Sequence, residues 1–71
     1  MAELKIFHDR EGQTLTVWFG DPSQEYVCEE TGGAVVLIED RSGRVIGVEK
    51  LNFSVPESES LRVAVAMAPT R

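Results

Sequence analysis

The stretch that decides the fold is Ala34-Val35-Val36-Leu37-Ile38-Glu39-Asp40-Arg41-Ser42-Gly43-Arg44-Val45-Ile46-Gly47-Val48-Glu49. β-branched and aliphatic residues dominate both arms, the types that suit a pleated surface. Between them, Asp at the first turn position and Gly at the fourth is the signature of a type I turn followed by a left-handed glycine, a three-residue hairpin loop. With Asp40 opposite Arg44, Ile38 meets Ile46 and Val36 meets Val48, which gives one strongly apolar face. The other face carries Val35, Leu37 and Val45 beside Glu39, Gly47 and Glu49.

The same punctuation occurs 31 positions earlier, at Asp9-Arg10-Glu11-Gly12 against Asp40-Arg41-Ser42-Gly43. It predicts a first hairpin from Leu4–Asp9 and Thr14–Gly20. Asp9 opposite Gln13 would set Phe7 against Leu15 and Lys5 against Val17, leaving Leu4, Ile6 and Trp18 together on the other side with His8. An internal duplication and independent hairpin chemistry both account for the repeat. Asp9, Gly12, Asp40 and Gly43 are thus read as structural turn residues.

Asp21-Pro22-Ser23 stops the second strand, Glu25–Glu30 reads as a short polar edge strand, and Gly32-Gly33 suits a tight turn into Ala34. Pro56 and its Ser/Glu neighbours break the sheet, making 54–60 a linker. Over 61–68 the alternation of Leu61, Val63, Val65 and Met67 favours a C-terminal strand, whereas the interleaved alanines leave a helix as the alternative. The expectation is one domain over 1–71, mainly β: a small antiparallel meander of two similar hairpins plus an edge strand and a C-terminal strand.

At 71 residues the chain lies near the lower limit of independent folding. A single cysteine, Cys28, allows no internal disulfide, and no zinc-type ligand set is present. Apolar residues fall on both faces of both hairpins, and a sheet of that kind cannot leave either face in water. These features predict a curled sheet that forms a homodimer, with Leu4, Ile6, Trp18, Val35, Leu37 and Val45 as candidate interface residues.

A formal charge of −5, with scattered bases, lacks the basic stripe that phosphate backbones require, so nucleic-acid binding is not expected. Neither a signal-peptide pattern nor a run of about 18 apolar residues occurs, so a cytoplasmic protein without membrane association is expected. Candidate chemistry is sparse. His8 and Asp9 are adjacent in a strand and point to opposite faces, which disqualifies them as a base–carboxylate pair. Cys28 has acidic neighbours in Glu29 and Glu30, which disfavour a reactive thiolate. Asp9, Glu11, Glu39, Asp40 and Glu49 would bind a hard cation only if the two hairpin tips met. No catalytic, metal or cofactor residues are assigned. The chain is expected to be a non-enzymatic, self-associating interaction or structural module. The alternatives are an acidic, antidote-like partner of another small protein, or a ligand-binding or enzymatic site at an oligomer interface.

Lys5-Ile6-Phe7-His8-Asp9, Leu15-Thr16-Val17-Trp18-Phe19 and the run from Gly32 to Phe53 together resemble the domain of unknown function 2283 family of small bacterial and archaeal proteins. The likeness spans residues 3–53. It departs at His8, where the family tends to carry Tyr, and at Gln13, where it often places an acid. The resemblance implies a small β-rich fold and brings no activity, cofactor or catalytic residue.

Overall fold

The computed structural model describes residues 3–69. Five antiparallel strands form one sheet: β1 (Lys5–Asp9), β2 (Thr14–Trp18), β3 (Val27–Glu30), β4 (Val35–Glu39) and β5 (Val45–Lys50), in the spatial order β1-β2-β5-β4-β3. The protein is mainly β, and the described residues hold no α-helix. Three joins are hairpins. The fourth, from β2 to β3, carries the chain across one end of the sheet through a 3-10 turn at Pro22–Gln24. It makes β2, β5, β4 and β3 a Greek key, a departure from strictly sequential order at one join.

Hydrogen bonds explain that crossing. Phe19 and Gly20 N–H both donate to the Ile46 carbonyl at 3.0 Å, and Tyr26 N–H donates to the Glu39 carbonyl at 2.9 Å. Asp21 accepts from Ser23 N–H at 2.9 Å and starts the 3-10 turn with Pro22 at its first position.

The second hairpin closes as its turn chemistry predicts. Asp40 N–H donates to the Arg44 carbonyl at 3.0 Å, and Gly43 takes the left-handed φ of 86°. A bulge then shifts the ladder between Ile38 and Glu39, so Ile38 faces Gly47, Leu37 faces Val48 and Val36 faces Glu49. One extra residue reverses the side on which everything beyond it points. Val48 therefore leaves the Val36/Ile38 face, correcting the expected Ile38–Ile46 and Val36–Val48 pairs.

The first hairpin closes differently from its sequence twin. Asp9 pairs with Thr14 across a four-residue loop, His8 faces Leu15, Phe7 faces Thr16, Ile6 faces Val17 and Lys5 faces Trp18. The left-handed residue is Gln13, φ 55°, rather than Gly12. Gly12 is held by its N–H, which donates to Asp9 Oδ1 at 3.0 Å, and a Cβ there would approach Asp9 Oδ2 to 2.7 Å. The tail supplies the physical reason for the longer loop. Phe53 N–H donates to the Gln13 carbonyl at 2.8 Å, and the Arg10 guanidinium donates to the Val55 and Glu59 carbonyls.

The ladders sort side chains into rows across the sheet. Lys5, Trp18, Gly47, Ile38 and Cys28 form one row of what we term the Trp face, with Phe7, Thr16, Glu49, Val36 and Glu30 as another. Ile6, Val17, Val48, Leu37 and Glu29 cross the opposite, valine face, with His8, Leu15, Lys50 and Val35 beside them. The buried apolar core is small: Val36 and Ile38 on the Trp face, and Ile46 at the bulge.

The expected C-terminal strand over 61–68 does not form, and neither does its helical alternative. Alternation supplies a face but no hydrogen-bonding neighbour, and in the single chain this segment stands beside no strand. Val63, Val65 and Met67 are exposed, the last two at 83% and 90%. The linker expected over 54–60 is irregular apart from a turn in which Glu59 N–H donates to the Pro56 carbonyl at 2.9 Å.

Candidate functional site

The two Asp-Arg-X-Gly turns lie at opposite ends of the sheet. Leu15, at the start of β2, pairs with Lys50, at the end of β5, whereas Asp40–Gly43 precedes the start of β5. Asp9 and Glu11 therefore never meet Asp40, and both turn aspartates have local roles. Asp40 Oδ1 accepts from Ser42 N–H (2.9 Å), Ser42 Oγ (2.7 Å) and Arg44 N–H (3.1 Å). The Ser42 hydroxyl, then the backbone donors, hold its carboxyl below the usual aspartate value. Arg41 lies over the Tyr26 ring, 4.7 Å from its centroid, and is thus occupied structurally.

His8 and Asp9 point to opposite faces, as their adjacency predicts. The His8 ring meets Phe53 edge-on at 5.4 Å, and its Nε2 is buried without a hydrogen-bond partner. Cys28 is exposed, and its thiol donates to Glu25 Oε2 at 3.1 Å. That bond favours the protonated form and, with some desolvation and the nearby Glu25 and Glu49 charges, pushes the thiol pKa up, away from nucleophilic reactivity. On the Trp face, Glu49 accepts from Thr16 Oγ1 at 3.4 Å. Across the β3–β4 edge, the neighbouring Glu29 side chain, with desolvation and the like charges of Glu29 and Asp40, raises the Glu39 carboxyl above its ordinary value. Among the described residues no three of His, Cys, Asp and Glu gather in a metal-holding group. No helix there is long and apolar enough to cross a membrane.

What the topology does assemble is an apolar surface. Ile6, Val17, Val48 and Leu37 run unbroken across four strands, flanked by Leu15 and Val35, and none is buried; Ile6 is 38% exposed. Leu4 and Val45 extend the same side by alternation. Five of the six candidate interface residues, Leu4, Ile6, Val35, Leu37 and Val45, thus share the valine face. Trp18 does not. The one-residue change of register places it on the opposite side over Gly47, where a Cβ would come within 2.9 Å of the indole. Leu15, Val17 and Val48 are the members that sequence reasoning missed. Their signal was the apolar periodicity itself, read one register away.

Compared with family models, curated proteins and solved structures, the chain has no significant match.

Proposed function

We propose that this chain is a non-enzymatic structural module that works by associating with a second copy of itself. The observation supporting it is surface left unburied. The chain exposes 5943 Å², about 1,500 Å² more than the roughly 4,400 Å² of a compact 7.9 kDa monomer. A stable interface removes about 800 Å² from each partner. Much of the exposed material is apolar, including Leu4, Ile6, Phe7, Phe19 and the alternating tail, and the rest of the valine-face row is only half-buried. A cytoplasmic, prokaryotic homodimer is the form this proposal takes, and kinship of residues 3–53 to the domain of unknown function 2283 family is proposed with it on sequence pattern alone.

Coupling of folding to association supplies the test, because a partner that binds only the folded chain raises its stability with concentration. The urea midpoint, followed by Trp18 fluorescence, is expected to rise between 1 and 100 μM protein. A midpoint independent of concentration would count against the proposal.

A second reading has its own support in the acidic β3 edge. Glu29 and Glu30 are exposed there, and the neighbouring Glu29 raises the Glu39 carboxyl. A basic partner protein would relieve that crowding.

A further inference from the structure

The exposed tail and the free edge of β1 match each other residue by residue. β1 is the outermost strand beside β2, and among the described residues its other edge has no partner strand. Edges of this kind are usually protected by charge, proline or a bulge. This one carries Lys5 and Asp9, yet with the preceding Leu4 (60%) it also exposes Ile6 (38%) and Phe7 (56%). Leu61–Met67 has the alternation of a strand and no strand to pair with.

Laid antiparallel to β1, the segment fits in one register. Arg62 falls opposite Asp9, Val63 opposite His8, Ala64 opposite Phe7, Val65 opposite Ile6 and Met67 beside Leu4. Its apolar members then continue the valine face, extending the Ile6-Val17-Val48-Leu37 row by Val65. Its small members, Ala64 and Ala66, leave room for the Phe7 and Lys5 side chains on the Trp face. Charge agrees with shape. From Leu61 onward the sequence holds two bases, Arg62 and Arg71, and no acid, while all 12 acids lie in residues 1–60. A slip by one residue loses the Arg62–Asp9 pair and turns the apolar side chains to the Trp face.

The geometry points to a reciprocal strand exchange: Leu61–Met67 of one copy adds as a sixth strand to the β1 edge of a second copy, which returns its own tail. This rests on the self-association proposed above and specifies its surface. The occupant is a second copy rather than the chain's own tail. Arg10 already brings Glu59 to the loop that follows β1, yet in the single chain the segment beyond stands clear of its own sheet, with Val65 and Met67 almost fully exposed.

Cysteine pairing in full-length protein separates the outcomes, with Cys28→Ala as background. An Ile6→Cys chain is mixed with a Val65→Cys chain enlarged by a fusion tag, equilibrated and oxidised. The expected product is a mixed disulfide-linked species, formed several-fold less when Ala64→Cys, on the opposite face of the segment, replaces Val65→Cys. Ending the chain after Ser60 is expected to convert the dimer to monomer. A link that forms only within single Ile6→Cys/Val65→Cys chains would overturn the exchange in favour of closure on the chain's own sheet. A dimer that persists without the tail and without the mixed link would overturn the exchange while leaving self-association standing. A full-length protein that remains monomeric would remove both.

Discussion

Gly47 lies under the indole of Trp18, and the absence of a side chain there lets the two strands carry a large aromatic between them. A Cβ would come within 2.9 Å of Trp18 Cε3 and 3.2 Å of the Val17 carbonyl, one of them a rigid ring and the other backbone. Neither can give way cheaply. Gly47→Ala is therefore expected to destabilise the protein by about 1–3 kcal/mol, in the range of overpacking substitutions. Urea unfolding would measure it, together with a shift of Trp18 emission as the ring is displaced; a variant as stable as the parent would contradict this packing. Gly43 matters for a different reason. Its φ of 86° is the left-handed conformation that a Cβ disfavours.

At the scale of elements, the two hairpin turns share a sequence pattern but not a geometry. Asp40-Arg41-Ser42-Gly43 follows its local chemistry because all its partners are local, three donors on one carboxylate oxygen. Its depressed carboxyl has a defined consequence for stability. A carboxylate whose folded pKa lies below its ordinary value of 3.8 stabilises the fold above that pH and loses the contribution as pH falls through the folded value. Asp40→Asn, measured by urea midpoint, is expected to lower stability at pH 7 and to differ progressively less from the parent below about pH 4. Glu39 is shifted the opposite way, in part by the Asp40 charge itself, so the substitution also relieves that repulsion and the deficit at pH 7 is the net of the two effects. An equal deficit at pH 7 and pH 3 would contradict the assignment. The first turn was legible as a turn but not in its register, because Gln13 and Arg10 are bonded to the tail. A left-handed glutamine costs about 1–2 kcal/mol in local conformation, and only contacts far along the sequence can offset that. The bulge beside Ile46 has one local sign, the bare Gly47 within the strand, which reads as close packing, a bulge or a bend. Its register is a tertiary matter, since the Ile46 carbonyl accepts two N–H groups from the crossover.

For the whole molecule, the mainly β class and the hairpin positions followed from alternation and turn residues, which act within a few positions. The composition of the valine face did not, since one residue of register at Asp9 and one at the bulge decide which side each later residue takes. Leu4, Ile6, Val35, Leu37 and Val45 were placed together by both readings. Trp18 exchanged sides, and Leu15, Val17 and Val48 joined the face. The tail was readable as strand-like in pattern, and the single chain offers it no neighbour. The sheet has a small core of Val36, Ile38 and Ile46 and an apolar row across four strands that the single chain does not fully bury, which is the surface the proposed self-association would cover. Sedimentation equilibrium of the full-length protein tests this most directly. The account predicts a reversible species of twice the 7.9 kDa chain mass at micromolar concentration, and a single folded species of 7.9 kDa persisting to hundreds of micromolar would contradict it.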